Sequence, residues 1–146
     1  MERYHDENIP THDTVPVFIV ILTFSLTVPA SARASDYFVD KKLSASSAGN
    51  GTLKLTLDIS ATETMQELGA SQIRVYEKQS NGISKVVYTF YRASYPKLIV
   101  KNKSSIVVDV TYRGIPGKIY YATANCYAKN SKGSNSMWVD SHSVRV

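Results

Sequence analysis

Apolar and polar residues alternate in short runs from Asp36 to the end of the chain, and Gly, Asn, Ser and Pro separate the runs. The clearest run is 52–61, in which Leu53, Leu55, Leu57 and Ile59 occupy every second position. Because successive side chains of a β-strand point to opposite faces, this spacing places all four on one side. The run therefore predicts a strand with one buried face.

The same alternation predicts further strands over residues 41–47, 71–78, 83–91, 104–112, 118–129 and 134–146. Two segments break the pattern. Residues 62–70 are predicted to be a crossover loop with a helical turn, since Met65 and Leu68 are three residues apart and Gly69 follows them. Residues 92–102 are predicted to be an edge or a loop, because Pro96 has no backbone N–H to donate to a central strand.

About seven strands separated by short turns predict an all-β protein, and an antiparallel two-sheet sandwich is its best match. A small closed barrel is the alternative. Strand 118–129 places Tyr120 on one face together with small residues, namely Ala122, Ala124, Cys126 and Ala128. A second sheet can approach such a thin face closely.

The N-terminal part has a different pattern. Residues 15–28 contain no charged side chain, and small residues follow them in the triplets 30–32 and 32–34. We therefore predict a signal peptide over 1–34, with an n-region at 1–14, a hydrophobic region at 15–28 and a cleavage region at 29–34. Arg3 is the one basic side chain of the n-region against four acidic residues. An uncleaved anchor, with residues 15–28 in the membrane, therefore stays open.

Export would leave one domain, residues 35–146, which we expect outside the cell or at its surface. This part has 15 Lys and Arg and 8 Asp and Glu, a net charge of +7. A positive surface attracts polyanions. However, the lysines are scattered and Arg74, Arg92, Arg113 and Arg145 fall on different elements, so no specific nucleic-acid site is predicted.

Residues 116–136, PGKIYYATANCYAKNSKGSNS, carry a resemblance. Pro-Gly, a Tyr that opens a strand, and Ala and Asn before a Gly-containing turn resemble the penultimate strand of immunoglobulin-like and fibronectin type III-like domains. The longer segment 52–146 resembles small secreted bacterial proteins of uncharacterised function. The resemblance implies an immunoglobulin-like sandwich in which Tyr120 is the corner tyrosine that ties its strand to the preceding loop.

Residues 35–146 offer little material for catalysis. They hold one histidine, His142, two residues after Asp140, and one cysteine, Cys126. No nucleophile is paired with His142 in the sequence, and no Cys/His spacing suggests a metal. We therefore predict a non-enzymatic domain without cofactor or metal, in which Cys126 is a small buried residue. A hydrolytic enzyme using Asp140 and His142 is the least favoured alternative.

The aromatic residues carry more information. Alternation assigns Tyr76, Tyr121, Tyr127 and Trp138 to faces exposed to solvent. Exposed rings stack on sugars or anchor protein interfaces. We therefore predict an exported binding or accessory module that contacts a glycan or another component of the bacterial cell envelope through these residues. The alternative is an assembly protein that pairs its edge strands with other copies, and the sequence leaves the oligomeric state open.

Overall fold

The computed structural model describes residues 37–146, which form β-strands connected by short turns. The predicted signal peptide lies outside the described residues. The strands are β1 (Phe38–Ser47), β2 (Thr52–Met65), β3 (Glu67–Lys78), β4 (Ser84–Tyr91), β5 (Ile99–Val100), β6 (Lys103–Arg113), β7 (Ile119–Asn130), β8 (Gly133–Asp140) and β9 (Val144–Arg145). A one-turn 3-10 helix, Pro96–Leu98, precedes β5.

The described strands pair antiparallel in two sheets. The first sheet has the order β1-β2-β6, and the second has the order β4-β3-β7-β8, with β5 also paired to β3 and β9 to β7. The two sheets face each other across one hydrophobic core. This confirms the predicted all-β two-sheet sandwich, which is compatible with an immunoglobulin-like fold, and each sheet ends in edge strands rather than closing into a barrel.

The core consists of the inward-facing positions of both sheets. In β2 the four residues that alternate in the sequence, Leu53, Leu55, Leu57 and Ile59, are fully buried. Across the core lie small side chains of β7, and Cys126 is among them with no exposed surface. Burial raises the pKa of the Cys126 thiol to about 11. The prediction that Cys126 is a small buried residue is therefore confirmed.

The prediction of a crossover loop at 62–70 is wrong. β2 extends to Met65 and β3 begins at Glu67, so Gln66 alone separates the two strands. The strands persist because Met65 and Leu68 both lie fully buried in the core, and the Gln66 N–H donates to the carbonyl oxygen of Lys129 at 2.8 Å. A spacing of three apolar positions is compatible with a helical turn, but burial on both sides of the corner overrides that local preference.

The last predicted strand, 134–146, is also divided. β8 ends at Asp140, where the Ser141 N–H donates to the Ala122 carbonyl and the Ala122 N–H donates to the Ser141 hydroxyl at 2.9 Å. The chain then bends, and β9 pairs with the start of β7. The segment 92–102 is, as predicted, a turn and a short edge, since β5 has two residues.

The tyrosine corner is present. The Ile115 N–H donates to the Tyr120 hydroxyl at 3.0 Å, which ties β7 to the loop before it. The hydroxyl in turn donates to the Glu77 carboxylate at 3.2 Å. Burial raises the pKa of Tyr120, and the charge of Glu77 raises it further, so the hydroxyl keeps its proton. Gly114 lies against the ring, where an added Cβ would be 2.7 Å from ring carbons.

Removal of this hydroxyl is expected to destabilise the domain. Tyr120→Phe leaves the Ile115 N–H without its acceptor and the Oε2 atom of Glu77 without the Tyr120 donor, which costs about 1–3 kcal/mol of unfolding free energy. Urea unfolding measures the change. Tyr91→Phe is the control, since Tyr91 is 55% exposed. Equal midpoints for the two variants would show that the corner contributes nothing to stability.

Candidate functional site

The structure brings the four predicted aromatic residues to one surface, the outer face of the second sheet. Tyr76 lies on β3, Tyr121 and Tyr127 lie on β7, and Trp138 lies on β8. The residues that alternate with them, such as Val75 and Ala122, are buried in the core. We call the surface formed by these four residues the aromatic face. Trp138 is the most exposed of the four at 46%, and the other three are half-buried.

Two of the rings stack on each other. Tyr76 and Tyr121 are directly opposite in the register of β3 and β7. Their ring centroids are 4.9 Å apart and their planes differ by 6°. Cross-strand aromatic pairs of this kind stabilise a sheet. The stack occupies one face of each ring, so these two tyrosines also have a structural role.

Within the described part of the chain, three basic side chains lie over rings of this face. The Arg74 guanidinium carbon is 4.8 Å from the centroid of Trp138. The corresponding distance from Arg92 to Tyr127 is 5.2 Å, and the Lys78 ammonium nitrogen is 5.9 Å from the centroid of Tyr121. A cation over an aromatic ring is attracted by the negative ring face. The aromatic face is therefore a surface of rings covered by cations.

These basic residues are not among the site residues predicted from the sequence. Arg74 and Lys78 flank Tyr76 at two-residue spacing, so alternation alone places all three on one face. Arg92 follows β4 in the sequence, whereas Arg74 lies on β3, so no local pattern connects the two residues. The structure brings Arg92 to the same face, where its N–H donates to the Ser71 carbonyl next to the start of the β3 and β4 pairing.

The charges of these three basic residues are balanced differently. Arg92 forms an ion pair with Glu67 at 3.5 Å. Among residues 37–146, no carboxylate forms an ion pair with Arg74 or Lys78. Both residues therefore present a positive charge that no carboxylate of the described residues neutralises by direct contact.

Two residues of β7 on this face have polar side-chain atoms without a partner among residues 37–146. The Thr123 hydroxyl and the Asn125 side-chain oxygen are buried and have no hydrogen-bond partner in the described structure. Thr123 is opposite Arg74 on β3, and Asn125 is opposite Trp138 on β8. A buried acceptor without a donor costs about 1–3 kcal/mol. Two polar groups without a partner thus lie next to Arg74 and Trp138 on this sheet.

Shallow depressions adjoin both ends of the aromatic face. One, of about 230 Å³, is lined by Tyr121, Lys78, Asp140 and three serines, namely Ser84, Ser141 and Ser143. The other, of about 330 Å³, includes Arg92, Glu67 and Lys101 in its lining. Both are open to solvent at the surface of the sandwich. They extend the face beyond its rings.

Comparison with protein-family models and with curated proteins finds no match. The function is therefore argued from the geometry and charge of the described residues.

Asp140 and His142, the residues of the least favoured enzymatic alternative, lie on different parts of the chain. Asp140 is the last residue of β8, and His142 lies in the segment between β8 and β9. Asp140 lines the smaller depression and His142 does not. Residues 37–146 contain no group of three or more His, Cys, Asp or Glu placed to hold a metal ion. In the same range, no helix has the length and apolar character needed to cross a bilayer.

Proposed function

We propose that this domain is a non-catalytic binding module that works outside the cell or at the bacterial cell surface, and that its ligand contacts the aromatic face. The finer assignment of the fold to small secreted immunoglobulin-like or fibronectin type III-like proteins is part of this proposal. Export by the segment 1–34 is also part of it.

The observation that carries the proposal is the convergence of four rings and three cations on one exposed sheet face. Rings and arginines are the residue types that dominate binding energy at interfaces. The outer face of the first sheet differs: in residues 37–146 its outward positions hold Ser, Thr, Lys, Asp and Arg together with the exposed Val107, and no aromatic ring. The two outer faces thus carry different chemistry, and the aromatic face is the one suited to a ligand.

Substitution of Trp138 tests the proposal. Trp138→Ala removes the most exposed of the four rings and leaves Arg74 without the ring it stacks on. We expect this variant to lose about 2 kcal/mol of binding free energy, measured as weaker retention on a glycan array and on cell-envelope fractions. Val107→Ala is the matched control, since Val107 is 66% exposed on the other sheet. If the unaltered protein is retained by no glycan and no envelope fraction, the binding function is rejected.

A second candidate function is assembly through an edge strand, and the edge formed by β8 favours it. β8 carries one charged residue, at its C-terminal end. The other edges among the described strands carry features that discourage pairing. β1 has Lys42, β4 has Lys85 and a register shift, and on β6 the Lys97 ammonium donates to the Asp109 carbonyl. A strand from a second copy would therefore pair with β8.

Light scattering after size exclusion distinguishes this candidate from a monomeric binder. Assembly predicts a mass that rises with protein concentration. It also predicts that Ser136→Pro, which introduces a residue without an N–H into β8, lowers that mass. A monomeric mass at high concentration rejects assembly and leaves the binding function unaffected.

A further inference from the structure

We infer that the ligand of the aromatic face is an acidic polysaccharide, a sugar polymer that carries carboxylate groups along its length. The inference rests on the binding function proposed above and specifies its ligand class.

The three basic side chains lie over the rings of the aromatic face. Arg74 lies over Trp138, Arg92 over Tyr127 and Lys78 over Tyr121, so a ligand approaching the face meets positive groups that the rings hold in place. A guanidinium stacked on a ring keeps the N–H donors at its edges available. Those donors match the two oxygens of a carboxylate. The face is thus suited to carboxylate groups more than to neutral sugar rings, which would have to displace the cations.

The two outer sheet faces differ in how their basic residues are paired with carboxylates. Arg74 and Lys78 have no ion-pair partner in residues 37–146. On the outer face of the first sheet, by contrast, Lys54 lies 3.0 Å from Asp109. The Thr56 hydroxyl also donates to that carboxylate at 2.6 Å, and these contacts lower the pKa of Asp109. The first sheet thus neutralises its central lysine, whereas the aromatic face leaves its central cations free to attract a polyanion.

Two unpartnered polar atoms on β7 favour a polysaccharide over a nucleic acid. The Asn125 side-chain oxygen and the Thr123 hydroxyl lack partners in the described structure, and their residues lie opposite Trp138 and Arg74 in the strand register. The Asn125 oxygen can only accept a hydrogen bond, so it needs a donor. Sugar hydroxyls supply donors next to the carboxylates that attract Arg74. In a nucleic acid the groups that attract Arg74 are phosphodiesters, which only accept, and the donors are on the bases and sugars, so the match to the Asn125 oxygen is closer for an acidic sugar.

The length of the aromatic face favours a polymer over a small acid. From the row of Tyr121 to the row of Tyr127, β7 advances six residues, about 20 Å at the rise of an antiparallel strand. The three cation–ring contacts lie along this length, and the depressions at both ends extend it. A small acid would contact one cation. A polymer with repeated carboxylates can contact Arg74 and Lys78 together and can also reach Arg92, which is paired with Glu67 in the free domain.

The test measures binding of the full-length chain to three immobilised polymers by biolayer interferometry. Polygalacturonate is the acidic probe, dextran is the neutral probe, and oligothymidylate is the nucleic-acid probe. The triple variant Arg74→Gln, Lys78→Gln, Arg92→Gln is compared with Lys42→Gln, Lys103→Gln, Arg113→Gln, which removes the same charge from the strands of the first sheet. Thermal unfolding of both triple variants checks that they fold.

The unaltered chain is expected to bind polygalacturonate and to bind dextran at least about tenfold more weakly. The first triple variant is expected to lose about tenfold or more in affinity for polygalacturonate, and the second about twofold or less. On the unaltered chain, the affinity is expected to fall as salt is added, because salt screens exposed charges. This last measurement needs no substitution.

Four results would overturn the inference. Equal losses in the two triple variants would show attraction by net charge alone, and an affinity independent of salt would exclude ionic contacts. Tighter binding of oligothymidylate would assign the face to nucleic acid. Dextran bound as tightly as polygalacturonate would reject the acidic ligand and leave the binding function standing. If no polymer binds, the inference fails, and the glycan array with Trp138→Ala then decides the binding function separately.

Discussion

Gly69→Ala is expected to lower the free energy of unfolding by about 3 kcal/mol or more, the largest effect of a single methyl group in this domain. Gly69 has a φ of +150° on β3, where an added Cβ would lie 1.8 Å from the carbonyl oxygen of Leu98 and 3.0 Å from the Cα of Ile99. Both atoms belong to the backbone, and Ile99 of the short strand β5 pairs with Gly69 of β3. Alanine therefore requires both a strained φ and displacement of a paired strand.

Gly82→Ala separates these two causes. Gly82 also has a positive φ, +82°, but an added Cβ would meet no atom within 4 Å. Its substitution is expected to cost about 1–2 kcal/mol, the strain term alone. Urea unfolding of both variants gives the comparison. A midpoint for Gly69→Ala equal to that for Gly82→Ala would mean that Leu98 and Ile99 move aside without cost.

Leu57→Ala is expected to cost about 2–5 kcal/mol, since a cavity remains where a fully buried side chain is cut back. Leu57 lies on β2, the central strand of the first sheet, opposite Leu43 and Val108. Few neighbours on a central strand can collapse into the space. The same urea experiment measures the loss.

The control for this variant is Val107→Ala on the adjacent strand. Val107 pairs with Asp58, one position along the register from Leu57, and is 66% exposed. Its substitution is expected to change stability by less than about 0.5 kcal/mol. The pair of variants tests the register itself, because a slip of one residue would exchange the buried and exposed faces. A greater loss in Val107→Ala than in Leu57→Ala would contradict the pairing of β2 with β6.

Strict alternation was sufficient to predict the strands of the core and the all-β class. Leu53 to Ile59 occupy one face without exception, and nothing else competes with a strand there. The segment around Met65 and Leu68 was not predictable in the same way. Their three-residue spacing fits a helical turn, and the strand is decided by contacts with β7 and the core that are distant in sequence.

The candidate site divides along the same line. The two-residue spacing of Arg74, Tyr76 and Lys78 places them on one face from sequence alone. That Arg92 reaches Tyr127 depends on the register of β3 with β7 and on where β4 ends, neither of which a local pattern contains. The partnerless atoms of Thr123 and Asn125 depend on what covers them, so they too required the three-dimensional structure.

The corner at Gln66 has a consequence for how the two sheets keep their alignment. Because one residue separates β2 from β3, the connection is too short to accommodate a shift of one strand's register without a shift of the other. If β2 moved along its neighbours by one position, β3 would be pulled with it, and the residues of both layers that now meet in the core would turn outward. The register of β2 and the register of β3 are therefore coupled, so the strand pairing of one sheet constrains the strand pairing of the other.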